Sequence, residues 1–320
     1  MDLITAIVWF LNIGFFCAIA SRFTGANTSI LILSALLYVG GRPVETVGIM
    51  MTYLVFMRLT MYTQQTSRLT LKDFQIFKGW RLIIPALLIL VCLVVYPFAA
   101  LALFLAFFIS ELLLRLYRTM PMEKRMPPAR LVPYAAGASV ITIAGFGAVR
   151  WIPEAYYYGL AGAVIFLLCA FFWWVGQNRS RLASSWNAVI MASFLPAGLF
   201  GFDLSEWIAD MKRYGNPSRL ADNLPFIFLP AFYAAFVCGN VFFGIFSFSG
   251  LILTFFSALA IRLFGYYEMS GKGKTNPVAL AVTILAAVCL FLTAPVPTGI
   301  SHAIDVFLPA QPAMDILNLF

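Results

Sequence analysis

The sequence has very few charged side chains for its length. Asp, Glu, Lys and Arg make up 11% of the 320 residues, whereas they make up about 25% of a typical soluble protein. Hydrophobic residues make up 62%, against roughly 45–50% in soluble proteins. A folded soluble protein of this size could not cover its surface with so few charges. The composition therefore predicts a polytopic membrane protein in contact with the lipid bilayer, and it excludes a nucleic-acid-binding domain, a disordered chain and a secreted disulfide scaffold.

Residues that carry enzyme and metal chemistry are also scarce. The only histidine is His302, and the five cysteines stand apart, each alone in an apolar run. A haem held by two histidines is therefore impossible within this chain, and no CxxC spacing supports a zinc or redox site. GxSxG, HExxH and P-loop signatures are missing too. We therefore expect no catalytic residue, no metal and no cofactor, and we do not expect an enzyme.

Long apolar runs are abundant, and a helix needs about 20 such residues to cross the hydrocarbon of a bilayer. The pattern predicts an all-α fold with about nine transmembrane helices, at 3–20, 44–63, 81–95, 97–117, 132–150, 158–176, 224–241, 243–266 and 277–294. The first run is preceded by Met1 and Asp2 without a basic residue, which is not the start of a secretory signal. We therefore expect it to be retained as a helix.

Two further apolar stretches are too short or too broken to cross. Residues 29–39 number eleven, and 188–202 contains Pro196, Gly198 and Gly201. Short segments interrupted by Gly or Pro often form re-entrant half-helices, so each is predicted to be one. Whether 188–202 re-enters or crosses fully is left open by the loop charges. The tail, 298–320, is predicted to lie at the membrane interface.

Basic loops set the expected orientation, because Lys and Arg collect on the cytoplasmic side. The segment 64–81 has four basic residues against one acid, and 115–130 has five against one. Both are predicted to be cytoplasmic. Arg22 lies at the C-terminal end of the first helix, which indicates an external N-terminus. We expect the protein in the inner membrane of a bacterium.

The same order of elements occurs twice in the chain: a broken segment, then a Gly/Pro turn, then three spans. The broken segments that begin the two series are 29–39 and 188–202. It predicts an internal repeat, with a first unit at 1–131, a linking helix pair at 132–186, a second unit at 187–297 and the tail at 298–320. The alternative is that Gly-Pro turns are simply common in helical membrane proteins. A repeat with broken helices that meet at a central site is typical of transporters.

The most polar stretch next to apolar sequence predicts a binding site. It runs from Ser21 to Ser29, and its candidate substrate-binding residues are Arg22, Gly25, Asn27, Thr28 and Ser29. Asn27, Thr28 or Ser29 could cap the half-helix, whose N-terminus suits an anion. Gly198 and Gly201 of the second broken segment are expected at the same site. The alternative is an interfacial loop with a capped helix and an arginine that reaches the headgroups.

Two charged residues inside spans are candidates for coupling or charge compensation. Glu111 precedes Arg115 by one helical turn, so an ion pair is favoured over a proton-coupling carboxylate. Arg58 lies within the span 44–63, where it either reaches the inner headgroups or faces a pathway.

The first 117 residues resemble the TauE/SafE family of sulfite exporters, of which the chain would be a divergent member. The corresponding features are the break Thr24-Gly25-Ala26-Asn27, the half-segment 29–39, the turn Gly40-Gly41-Arg42-Pro43, the helix 44–63 and the basic segment that follows. The resemblance implies a membrane permease for small anions such as sulfite or organosulfonates.

A non-enzymatic alternative remains open. The 32 phenylalanines could pack against other membrane subunits or a second copy, or hold a pigment or quinone. The sequence therefore predicts either an anion permease or a membrane-embedded accessory subunit of a larger complex.

Overall fold

The computed structural model describes residues 3–65, 80–177, 186–205, 207–208, 219–243, 248–264 and 277–293. Of the residues described, 89% are helical and none is in a strand. The described helices are α1 (Leu3–Thr24), α2 (Thr28–Tyr38), α3 (Pro43–Gln65), α4 (Trp80–Val95), α5 (Pro97–Thr119), α6 (Pro128–Ala148), α7 (Glu154–Gln177), α8 (Trp186–Ala192), α9 (Phe194–Phe200), α10 (Arg219–Asp222), α11 (Pro225–Phe243), α12 (Phe248–Phe264) and α13 (Pro277–Thr293). The predicted all-α class is confirmed.

Five stretches in the described part of the chain are long and apolar enough to cross a membrane: Ile7–Thr24, Pro43–Thr63, Pro97–Thr119, Pro128–Trp151 and Glu154–Trp174. The expected count of about nine spans is not confirmed. Helix α4 has 16 residues, about 24 Å at 1.5 Å per residue, and a typical hydrocarbon core is about 30 Å thick. It ends before Pro97, which disfavours helical backbone at Tyr96. The described parts of α11, α12 and α13 have 19, 17 and 17 residues.

Helix α3 is the most buried of the five candidate spans in the described part of the chain. In its apolar window 72% of the residues are buried, against 22–39% in the other four candidate spans. It packs against α2, α9, α11 and α12. Helix α2 is also mostly buried, and its 11 residues extend about 16 Å, roughly half of the hydrocarbon thickness. The short helix predicted at 29–39 is therefore present, and it packs between α1, α3 and α13.

Glycines allow close approach where helices cross. A Cβ on Gly198 of α9 would lie 2.3 Å from the carbonyl oxygen of Thr142 in α6, and one on Gly145 would lie 3.1 Å from the Cα of Gly198. A Cβ on Gly14 of α1 would lie 2.9 Å from the carbonyl oxygen of Leu253 in α12. Small residues at crossings are the usual way in which helices pack tightly inside a membrane.

Helices α4 and α5 pack against each other, and α4 exposes most of its large apolar side chains, among them Leu87, Val91 and Val95. Such a surface is stable against hydrocarbon rather than water. Together with the five candidate spans, it indicates a protein embedded in a membrane.

Several sequence predictions fall outside the described residues. They include the basic residues at 68, 72 and 78 of the segment 64–81 and the tail at 298–320. The division into two repeat units and a linking pair stays a prediction.

Candidate functional site

The first helix break lies between α1 and α2. The amide of Gly25 donates to the carbonyl oxygen of Ser21 at 2.7 Å, and Gly25 has a φ of 76°, which glycine adopts without steric cost. The sequence left the cap of α2 open among three residues, and the structure assigns it to Asn27. Its Oδ1 accepts hydrogen bonds from the Ser29 amide at 3.0 Å and the Ile30 amide at 3.3 Å.

The second break follows α9. Helices α8 and α9 are separated by Ser193, which has helical backbone angles, and α9 ends at Gly201, whose φ is 71°. Pro196 lies in the first turn of α9, where its missing N–H costs no helical hydrogen bond. After Gly201 the chain leaves the helix and continues through Phe202 and Asp203, both of them buried.

The two breaks meet inside the protein. Asn27 donates from Nδ2 to the carbonyl oxygen of Asp203 at 2.6 Å. The amide of Asp203 donates to the hydroxyl oxygen of Ser29 at 2.8 Å, and that hydroxyl donates to Asn27 Oδ1 at 2.6 Å. Backbone groups released by a helix break cannot be left unpaired in hydrocarbon. Here the side chains at one break pair with the backbone of the other.

A buried ion pair completes the contact between the two breaks. We call this contact, made by Asn27, Ser29, Arg58 and Asp203, the junction. The guanidinium of Arg58, on α3, donates from Nε to the Asp203 carboxylate. Both residues are only 5% exposed. The other carboxylate oxygen, Oδ1, accepts from the Ser205 amide at 2.9 Å. Asp203 therefore links α2, through its backbone, to α3, through its side chain, and the positive charge of Arg58 is compensated.

A small cavity adjoins this junction. Its volume of about 20 Å³ is enough for about one water molecule. Residues of both breaks and of α3 line it: Asn27, Thr28, Ser29, Tyr53, Leu54, Met57, Arg58, Met61 and Asp203. A sulfonate or a carboxylate is larger than this space.

The remaining residues of the predicted site lie elsewhere or have other roles. Arg22 does not line the cavity: its Nε donates to the carbonyl oxygen of Phe264 at 2.8 Å, at the C-terminal end of α12, where a cation is favourable. Thr28 lines the cavity, but its hydroxyl donates to Ser21 Oγ at 2.7 Å. Gly25 forms the turn between α1 and α2 and is not part of the lining.

The two glycines of the second break contact protein rather than open space. Gly198 is at the crossing with α6, described above. A Cβ on Gly201 would lie 2.4 Å from the Cβ of Met50 in α3. Glycine at these positions is explained by helix packing and by the left-handed turn. That they bind a ligand stays a prediction.

Glu111 forms the ion pair that its spacing favours. Arg115 Nε donates to Glu111 Oε1 at 2.9 Å, and the Glu111 side chain is fully buried. Both residues are on α5, and neither lines the cavity.

Asp203 is a candidate site residue that the sequence analysis did not identify. It is one of four acids between residues 203 and 222. The signal was indirect: Arg58 is a cation within an apolar span, and such a residue needs an acid or a carbonyl partner. Asp203 is the first acid after the second broken segment, which was expected to meet the first.

No family model, curated protein or solved structure matches this chain.

Proposed function

We propose that the chain is an integral membrane permease for a small anion, sulfite-like, organosulfonate-like or a carboxylate, that works by alternating access at its two helix breaks. The observation that carries the proposal is that Asn27 and Ser29 of one break contact Asp203 of the other beside a buried arginine and a cavity. Transporters commonly bind substrate where broken helices meet. The resemblance of the first 117 residues to sulfite exporters supports the same class of substrate.

Arg58 is the residue that gives the site its preference for anions. Its planar guanidinium presents several N–H donors in a fork that matches a carboxylate or an oxyanion. It lies on α3, the helix that packs against α2, α9, α11 and α12. A shift between these elements therefore changes the space around Arg58, as alternating access requires. In this proposal the protein lies in the inner membrane of a bacterium, with its N-terminus outside.

Uptake into liposomes tests the permease proposal. Purified protein is reconstituted, and entry of labelled sulfite, methanesulfonate and acetate is compared with entry into empty liposomes. We expect at least one of these anions to enter faster with protein. Arg58→Gln removes the cation and is expected to abolish the difference, whereas Arg58→Lys keeps the charge and retains part of it. Arg150→Gln, an exposed change outside the cavity, is the matched control. Wild-type protein that moves none of the three anions contradicts the proposal.

The second candidate is a membrane-embedded accessory subunit. It is favoured by the size of the cavity, about 20 Å³, and by the ion pair between Arg58 and Asp203, since both describe a junction that holds helices together. This function makes the opposite forecast: the protein is inactive in liposomes and, after gentle solubilisation, copurifies in a fixed ratio with larger membrane partners.

A further inference from the structure

We propose that Asp203 is an internal competitor of the transported anion. In the form that the structure shows, which we call the closed form, its carboxylate holds the guanidinium of Arg58, and a substrate anion binds by displacing it. The inference rests on the proposed permease function and adds to it how the site opens and what sets its affinity. It assigns to Asp203 the role of a gate rather than of a substrate ligand.

The first step is that Asp203, while it stays in place, opposes the binding of a second anion to Arg58. Both charges are buried and in direct contact, and both line the cavity. The pair has no net charge, and an anion that entered beside it would lie next to a carboxylate. Like charges at short range in a buried site repel strongly. The anion therefore gains the guanidinium only by exchange with Asp203.

The second step is that the exchange must move the backbone. A carboxylate displaced from its partner is costly if it stays buried and unpaired. Asp203 is fixed to α2 by its own backbone, through Asn27 and Ser29. Release of its side chain from α3 therefore loosens the connection of α3 to both α2 and the end of α9. Anion binding and opening of the junction become one event, which is the coupling that alternating access needs.

The third step separates this role from a purely structural one. If Asp203 competes with the anion, neutralising it makes the site bind anions more tightly, although the closed form is then less stable. If Asp203 only supports the fold, or itself helps to bind substrate, neutralising it leaves affinity unchanged or lowers it. The sign of the change in affinity decides between the two roles.

The experiment measures equilibrium binding of sulfite and of acetate to the purified full-length protein, by titration calorimetry, together with uptake in liposomes. For Asp203→Asn we expect binding of the transported anion to tighten at least tenfold and uptake per molecule to fall, because release is slowed. Glu154→Gln removes an exposed carboxylate at the start of α7, outside the cavity, and is expected to match the wild type in both measurements.

Ser29→Ala is the second variant, for the case that Asp203→Asn does not fold. It keeps both charges and removes the hydroxyl that accepts the Asp203 amide. A looser Asp203 competes less well, so we expect a smaller tightening, about two- to threefold. If Ser29 donated to substrate instead, the same change would weaken binding.

Each outcome has a distinct meaning. Tighter binding in the folded variants, with Glu154→Gln unchanged, supports the gate. The gate is overturned if Asp203→Asn folds and its anion binding is unchanged or weaker. If only Ser29→Ala folds, unchanged or weaker binding in that variant overturns the gate. The permease proposal still stands if the wild type transports. If neither wild type nor variants bind or transport any tested anion, both the gate and the permease are rejected.

Discussion

At the residue scale, the junction depends on two opposite charges that are stable only together. Arg58 and Asp203 are both buried, and removal of one partner leaves the other charge uncompensated in the interior. Loss of one member of such a pair typically costs about 3–5 kcal/mol, whereas replacement of both by apolar residues is often neutral. The free energy of unfolding should therefore respond very differently to single and double substitutions.

We expect Arg58→Met alone and Asp203→Leu alone each to lower the free energy of unfolding by about 3–5 kcal/mol. The double variant is expected to be much closer to the wild type, because no charge remains buried without a partner. The hydrogen bonds from Asn27 and to Ser29 use only the Asp203 backbone, so they persist. Unfolding by detergent titration in mixed micelles measures all four proteins. Single costs that simply add in the double variant would show that the two charges are not coupled.

The individual residues of this junction could be predicted from the sequence only in part. A cap for α2 was predictable, because Asn, Thr and Ser directly before an apolar run favour a helix start. The pairing of Arg58 with Asp203 was not, because 145 positions separate the two residues. The loop after residue 202 holds four acids, and nothing local distinguishes the one that reaches α3. Only the tertiary meeting of the two breaks selects it.

At the element scale, the second broken segment is held by the crossing of α9 with α6. Gly198 and Gly145 face each other there, with a would-be Cβ on Gly198 only 2.3 Å from the Thr142 carbonyl oxygen. Displacing main-chain atoms costs more free energy than moving the end of a flexible side chain. The crossing therefore needs glycine for packing, and the position of the whole break, including Asp203, depends on it.

Gly198→Ala is expected to lower the free energy of unfolding by about 1–3 kcal/mol, the usual cost of overpacking. Gly147→Ala, on α6 two residues after Gly145, is the control, since a Cβ there meets nothing within 4 Å. Alanine is favoured over glycine within a helix by about 0.5–1 kcal/mol, so the control should be neutral or slightly more stable. Detergent-titrated unfolding measures both. A Gly198→Ala protein of wild-type stability that no longer transports would instead make Gly198 a ligand contact.

The helices themselves were partly predictable. Apolar runs identify where helices occur, and the eleven-residue α2 follows directly from its short run. The lengths of the spans were less predictable. The apolar run 81–95 was predicted to span the membrane, whereas the helix there, α4, has 16 residues. Glycines presented a similar difficulty. Gly25, Gly198 and Gly201 were expected to approach a ligand, whereas turn geometry and helix packing explain them here. A sequence does not reveal which surface a glycine faces.

At the scale of the whole molecule, the orientation of the protein in the membrane follows from the side of a transmembrane helix on which the basic residues lie. The segment Pro128–Trp151 is one of the five candidate spans. Before it comes the basic segment 115–130, and after it comes Glu154, at the start of α7. Basic segments stay in the cytoplasm, and a helix that crosses places its two ends on opposite sides. Lys124 is therefore expected inside and Glu154 outside.

Labelling with a membrane-impermeant maleimide tests this arrangement. Lys124→Cys and Glu154→Cys are made separately in a variant without the five native cysteines, and both positions are exposed. In sealed cells we expect Glu154→Cys to react and Lys124→Cys to react only after permeabilisation, because the reagent cannot cross the bilayer to a cytoplasmic thiol. The cysteine-free parent controls for background. Reaction of Lys124→Cys alone in sealed cells would invert the orientation of the whole chain. Reaction of both in sealed cells would mean that α6 does not cross, which contradicts the predicted arrangement.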